Sequence, residues 1–384
     1  TMFFKKIKLD ESIEKALEKK EQKLIKKLLK KEIISLIRVT YNTTIIESFS
    51  VFQLKLKQDE KTKIYQNKIN EINTKLKQSV FEEKFKSFSE SALSKISAAI
   101  APQISGYDAI KKAVALQLVS KQPIHLLLIG DPGTGKTDIA RSASELAPIS
   151  AYGLGSGTSS AGLVVTVKGN EVIPGLLPMA NDGLCVIDEL NLMRKEDYAG
   201  LYNAMEKGFV TYDKGGKHFK FDARVKILAT ANPIHDEFKS ASIEAIKKQM
   251  PFESALLSRF HFIFIIKKPS VKRFMEITEH VIEKKTKSIT AADKFFISEY
   301  IKWIQANMPQ EPSFTEANKR RIVDFVKHLK LNEKQFVTKI TPRFVVGLVR
   351  LCGASALVES RKEVTKDDVE RVKNLVNKCL KIQS

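Results

Sequence analysis

Cysteine is scarce in this chain: three residues in 384, at Cys185, Cys352 and Cys379. None forms a C-x-x-C pair, which argues against both a disulfide framework and a cysteine zinc site. Glycine is missing from residues 1 to about 95. No stretch reaches the ~18 consecutive apolar residues of a membrane helix. The first residues, "TMFFKKIKLDESIEK", contain neither a long apolar core nor a small-residue cleavage site of a secretory signal. The expected location is therefore the cytoplasm, at the nucleoid in a prokaryote, or the nucleus in a eukaryote, with no membrane partner. Acidic residues are also in deficit, 44 against 65 Lys and Arg, for a net charge of +21. Such an excess favours a polyanion as partner, nucleic acid first, and is silent about the fold.

Composition and periodicity divide the chain into three. Residues 1–95 read as a Lys-rich, mostly helical region, with Ile13, Leu17, Leu24 and Leu28 on one helical stripe and Ile69, Ile72 and Leu76 on another. Between them, "RVTYNTTIIESFSVFQLKLK" is β-branched and aromatic, and periodicity does not separate a strand from a buried helix there. Residues 96–270 read as an α/β core. "IHLLLIG", "GLCVIDEL", "VKILATANP" and "HFIFIIKK" are short apolar strands alternating with helical stretches, the pattern of a parallel sheet. Residues 271–384 read as a helical lid of consecutive amphipathic helices, the last capped by Thr365.

Chemistry enters at "GDPGTGKT": Gly130, Asp131, Pro132, Gly133, Thr134, Gly135, Lys136 and Thr137 fit the phosphate-loop pattern. Glycines there let backbone N–H groups close around phosphates, Lys136 supplies a point charge, and the Thr137 hydroxyl suits Mg²⁺. The expected ligands are thus ATP and Mg²⁺. "CVIDEL" sets Asp188 and Glu189 at a strand end, Asp188 to hold the metal and Glu189 to orient and polarise the attacking water. "ATANP" ends the next strand in Asn232, whose neutral amide can place that water against the γ-phosphate. "ALLSRF" then offers Arg259 as a guanidinium for the transferring phosphoryl group, a role often filled by a neighbouring subunit.

The order of these motifs resembles an AAA+ ATPase, and the text around them resembles the minichromosome maintenance (MCM) helicases over about residues 95–384. The resemblance rests on "IAPQISGYDAIKKAVALQL", "SGTSSAGLVVTV", "LPMANDGLCVIDELNLM", "YNAMEKGFVTYDKGGKHFKFDARVKILATANP" and "ITPRFVVGLVRLCGASALVESRKEVTKDDVERV". It implies an AAA+ phosphate-loop core with a parallel sheet and a helical lid. It also implies that Arg343 is a sensor-2 arginine acting across a subunit boundary, and that Lys214 projects from a hairpin toward DNA in a central channel. Lys168 is a second such candidate on the preceding hairpin. Independently of the family, Gly215–Gly216 between two β-rich runs reads as a hairpin turn.

Several features depart from the family pattern. Asn191 stands where a second acidic residue is usual, and His261 where Asp is usual after S-R-F. The segment between Gly162 and Pro174 is short for the helix-2 hairpin. With no cysteine before Cys185, the family's zinc site has no ligands here. Residues 1–95 are expected to be a reduced, helical N-terminal region, with no winged helix after the lid. The expected function is an ATP-dependent DNA helicase or translocase, a homo-oligomeric ring of hexamer type acting on single-stranded or forked DNA in replication. Two alternatives stay open: a protein remodeller related to MoxR or the magnesium chelatases, and a regulatory paralogue of the family.

Overall fold

The computed structural model describes residues 9, 11–57, 64–168, 171–214, 217–239, 242–271, 274–275, 278–279 and 288–382. The chain divides into two compact units, Thr1–Glu90 and Ser91–Ser384.

In the first unit, α1 (Glu11–Ala16) and α2 (Lys19–Lys30) precede two antiparallel strands, β1 (Ile34–Tyr41) and β2 (Phe49–Leu56), and a long helix, α3 (Gln66–Ser89). The ambiguous β-branched stretch is therefore a hairpin. Its core joins Ile13, Leu17 and Leu28 to Ile34, Leu54, Ile69, Ile72 and Leu76, so the two sequence stripes meet across the hairpin. Asn73 of α3 grips the free edge of β2: its Oδ1 accepts from Leu54 N at 2.7 Å and its Nδ2 donates to Leu54 O at 2.9 Å. Edge groups that would otherwise seek another strand are satisfied there.

The second unit opens with α4 (Ala92–Ala99) and the almost wholly buried α5 (Asp108–Val119). It continues through β3 (Leu126–Gly130), α6 (Lys136–Leu146), β4 (Ser150–Leu154), α7 (Ser160–Leu163) and a short hairpin, β5 (Val165–Lys168) with β6 (Glu171–Pro174). Next come α8 (Leu176–Met179), β7 (Leu184–Asp188), α9 (Tyr198–Lys207) and a second hairpin, β8 (Phe209–Lys214) with β9 (Lys217–Asp222). The core closes with β10 (Lys226–Ala231), α10 (Ile243–Lys248), α11 (Ser254–Leu257) and β11 (Phe262–Ile266). Five strands form one parallel sheet in the order β11-β3-β10-β7-β4. Four of them are buried along their whole length, as strands covered on both faces must be, and these are the four apolar runs of the sequence. β4, at the edge and partly exposed, carries no such run.

Beyond the core lie α12 (Ala291–Asn307), α13 (Glu316–Leu331), α14 (Pro342–Leu357) and α15 (Lys366–Cys379). Two residue pairs, Ser313–Phe314 and Glu363–Val364, bridge the lid as a minimal parallel ladder. Thr365 caps α15 as its sequence suggests, within a capping box completed by Asp368. Among the described residues no helix is long and apolar enough to cross a membrane.

One buried charge ties the sheet to α5. Lys226, 5% exposed at the start of β10, donates from Nζ to Leu118 O at 2.8 Å, near the carboxyl end of that helix. Burial lowers its pKa from the ordinary 10.5 to about 7, against a weaker upward pull from Asp182. Between those two values the unfolded chain holds a proton that the folded chain lacks, so stability rises with pH across that window. Each pH unit weighs about 1.4 kcal/mol. Lys226→Met is expected to be more stable than the parent at pH 7, with the difference shrinking toward pH 10. Urea unfolding at both pH values measures this, and a pH-independent difference would show that Lys226 keeps its proton in the folded chain.

Candidate active site

The sheet order places β3 between β11 and β10, beside the point where the chain reverses its direction of strand addition. In open parallel sheets, ligands bind at such a switch point, outside the carboxyl ends of the strands. β3 ends there in Gly130. A Cβ on that residue would lie 2.3 Å from Ile266 O, so only glycine lets β3 and β11 approach this closely. Gly133 and Gly135 turn the loop with φ of +76° and +79°, where side chains are disfavoured.

The loop is closed by its own polar groups. Thr134 Oγ1 donates to Asp131 O at 2.7 Å, and Lys136 Nζ donates to Gly130 O at 2.7 Å and Asp131 O at 2.8 Å. Burial lowers the Lys136 pKa to about 8, while Asp131, Asp188 and Glu189 pull the other way. The Asp131 carboxylate is committed elsewhere: it accepts from Phe238 N and Lys268 N, both at 2.8 Å, and anchors the loop to two later segments. Pro132 and Gly133 stand exposed at the crest.

Two strands away, β7 delivers Asp188 and Glu189. Asp188 is 2% exposed, and three hydroxyls hold its carboxylate. Thr137 donates to Oδ1 at 3.1 Å, Thr230 donates to the same oxygen, and Tyr152 donates to Oδ2 at 2.7 Å. Burial, reinforced by the carboxylate, pushes the Tyr152 phenol well above its usual pKa and keeps it a donor. Glu189 turns the chain in the left-handed region, φ 55°, with its N–H donating to Thr230 Oγ1 at 2.9 Å. Gly155 makes room for that turn, since a Cβ there would lie 2.1 Å from Glu189 O. The Glu189 carboxylate has no hydrogen-bond or salt-bridge partner among the described residues. Asn232 follows β10 between the two, its N–H donating to Asn191 Oδ1 at 3.0 Å.

The donor set fits a hard divalent cation bound together with a nucleotide. Thr137 and Asp188 are oxygen donors already in contact, beside a glycine loop. Among the described residues no group of three or more His, Cys, Asp or Glu is gathered into a metal cage. Mg²⁺ is commonly held in this way, by one or two protein oxygens, water and phosphates.

Arg259 and Arg343 lie elsewhere, converging on Glu206 of α9. Arg259 Nη2 is 3.0 Å and Arg343 Nη2 3.5 Å from Glu206 Oε1. Arg259 also donates to Ala255 O at 2.6 Å and lies 4.0 Å over the Tyr202 ring, while Arg343 donates to Ser258 O at 3.4 Å. None of these partners belongs to the phosphate loop of the same chain. His261 occupies a packed seam nearby: its Nδ1 accepts from His125 N at 2.9 Å, and Gly347 of α14 leaves no room there for a Cβ. Burial, then His125 and Arg350, hold its pKa well below the ordinary range, so it serves as a neutral acceptor.

Lys214 ends β8 opposite Lys217, and Lys168 ends β5 opposite Glu171. The lysine side chains and the turn at Gly215–Gly216 lie outside the described residues. Lower on the second hairpin, Lys220 Nζ sits 4.2 Å over the Phe209 ring, and Val210 is buried in the core.

Sequence reasoning did not single out Tyr152, Thr230 or Glu206, and it treated Asn191 only as a departure. Thr230 stood inside the quoted "ATANP", but nothing in a string reveals which carboxylate its hydroxyl reaches.

Residues 81–285 match the MCM P-loop domain and residues 296–380 the MCM AAA-lid domain. The chain is 32% identical over 306 residues to a minichromosome maintenance protein of Saccharolobus solfataricus, covering 73% of this chain and 44% of that protein. It is 36% identical over 228 residues to the DNA replication licensing factor mcm5 of Dictyostelium discoideum, covering 54% and 30% respectively. For the licensing factor MCM4 of Drosophila melanogaster the identity is 30% over 313 residues, covering 75% and 36%. The chain thus spans less than half the length of these relatives.

Proposed function

This chain belongs to the minichromosome maintenance family, and from that premise we propose that it hydrolyses ATP to move along and unwind DNA as a ring of identical subunits, six by family analogy. The observation that carries the reading is a division of labour. Lys136, Thr137, Asp188, Glu189 and Asn232 gather at the ends of three neighbouring strands, while Arg259 and Arg343 gather on Glu206. A complete site then forms where one copy's strand ends meet the arginines of the next.

Each residue has a role in that site. The loop's backbone N–H groups cradle the phosphates, and Lys136 exchanges its two loop carbonyls for phosphate oxygens. Thr137 and Asp188 would hold Mg²⁺, which would supply charge neutralisation to the phosphates. Glu189, with its carboxylate unengaged, accepts a proton from the attacking water or orients it. Asn232 fixes that water in line. Arg259 and Arg343 stabilise charge on the transferring group from the adjacent copy.

The second hairpin carries the motion. Its strands join α9, which bears Glu206, to β10, which leads to Asn232, so a change at either arginine or phosphate can move its tip. Lys214 at that tip grips the nucleic-acid backbone without reading bases, and Lys168 adds a lesser contact.

Single-stranded DNA is expected to stimulate ATP turnover by the parent chain, and forked duplexes to be separated. Turnover indifferent to DNA would point instead to a protein remodeller. Lys214→Ala is expected to keep ATPase activity within about threefold, since the nucleotide site is untouched, while losing most strand displacement. Undiminished displacement by this variant would reject the hairpin's role.

A further inference from the structure

We propose that Thr230 is a positioning residue that locks the acidic pair to the strand carrying Asn232. This rests on the reading of the site as an ATP hydrolase and deepens it.

Thr230 is 1% exposed and lies in β10, two residues before Asn232. The parallel register pairs Ala229 with Ile187, so Thr230 and Asp188 both fall one step beyond that pair. Its hydroxyl makes two bonds of opposite sense: it accepts from Glu189 N at 2.9 Å and donates to Asp188 Oδ1. One proton and two lone pairs allow both at once. Among the described residues, no other side chain is hydrogen-bonded to both members of the acidic pair.

The contact with Glu189 matters because that turn is not held by its own backbone preference. Glu189 sits at φ 55°, a conformation that persists only where the surroundings impose it. Three contacts do so: the Thr230 hydroxyl on its N–H, Leu192 N donating to its carbonyl at 2.9 Å, and Gly155 packed against that carbonyl. Without the hydroxyl, the Glu189 N–H loses its acceptor and the turn loses the contact that fixes the side chain's direction. Asp188 would keep Thr137 and Tyr152 but lose the donor that comes from the Asn232 strand. Asn232, Asp188 and Glu189 therefore move as one body through this hydroxyl. A sensor residue can report on the γ-phosphate only if its displacement reaches the groups that act on water and metal.

Valine and serine separate a hydroxyl role from a packing role, because valine keeps the shape and serine keeps the oxygen. In the full chain, Thr230→Val is expected to lower kcat about 10- to 100-fold, the effect of losing one or two structural hydrogen bonds at a site of positioned groups. Its affinity for a fluorescent non-hydrolysable ATP analogue should stay within about threefold, because the phosphate loop is unchanged. Mn²⁺ titrations followed by electron paramagnetic resonance, with the analogue bound, are expected to show a midpoint raised about 3- to 10-fold by the freed Asp188. Thr230→Ser is expected to remain within about threefold of the parent on all three measures, since it keeps both bonds. A valine variant indistinguishable from the parent, or a serine variant as impaired as valine, would overturn the proposal. If Thr230→Val does not fold, Thr230→Ala carries the same expectation against Thr230→Ser. A parent chain that binds Mn²⁺ and analogue but never turns over ATP would sink the hydrolase reading, and the Mn²⁺ midpoints alone would then decide the role of Thr230.

Discussion

Glu189→Gln is expected to bind ATP about as tightly as the parent chain and to hydrolyse it at least about a hundredfold more slowly. The reason is the separation of tasks within a few residues. Binding rests on the loop from Gly130 to Thr137, where Lys136 bonds Gly130 O and Asp131 O, and on Asp188, held by Thr137, Thr230 and Tyr152; none of these contacts involves an atom of the Glu189 side chain. Glutamine keeps the size and the left-handed turn at 189 but cannot take a proton from water. The Glu189 carboxylate is engaged by no hydrogen bond or salt bridge among the described residues, so its replacement breaks nothing in the resting chain. Filter binding of labelled ATP and steady-state phosphate release measure the two quantities separately. Turnover near the parent rate would remove Glu189 from the chemistry and leave water activation to another group.

The second large effect concerns Arg259. Its replacement by alanine is expected to cost about a thousandfold or more in turnover, the scale on which a guanidinium acts on a transferring phosphoryl group. Local cost to folding is expected to be small by comparison, because the Arg259–Glu206 pair is partly exposed and Arg343 remains beside the same carboxylate. The stronger test is complementation. Lys136→Ala subunits have a dead loop and an intact arginine; Arg259→Ala subunits have the reverse. In a random one-to-one ring about one interface in four joins an intact loop to an intact arginine, so about a quarter of parental turnover is expected if the interfaces act independently. Each homogeneous variant should stay inactive. Mixtures that remain inactive, with mixed rings shown to form, would return Arg259 to its own chain's site.

These two expectations differ in how they could be read. Glu189 follows directly from "CVIDEL", because a carboxylate at the end of an apolar strand after a phosphate loop is a local pattern. The same holds for Lys136, Thr137, Asp188 and Asn232, each at the carboxyl end of a buried run or in the turn after it. That the two arginines meet on Glu206 is different. Residues 206, 259 and 343 are distant in sequence, and "YNAMEKGF" gives no hint of a counter-ion. Tyr152 belongs to the same class: it rides on β4, whose "SAYGL" has small residues and no alternating or continuous apolar pattern. An edge strand needs only one side filled, and the sequence signal weakens accordingly. Asn191 is a further case: the sequence shows it only as a departure from the family's acidic residue, and the fold has its amide oxygen receive the Asn232 N–H.

Local strings alone determined the α/β class, the four buried strands, the phosphate loop and the residues immediately following each strand. Burial on both faces of a sheet demands continuous apolar runs, and a phosphate-binding turn demands glycines at fixed spacing, so both constraints are written in consecutive residues. Only the tertiary structure decided the hairpin in the first unit, the position of β4 at the sheet edge, the hydroxyl cradle around Asp188 and the clustering of Arg259 with Arg343. Each of these depends on which distant backbone lies alongside. A threonine hydroxyl or a glutamate can satisfy many partners, and chain composition does not choose among them. The choice is made by parallel register, which sets Thr230 of one strand level with Asp188 of the next.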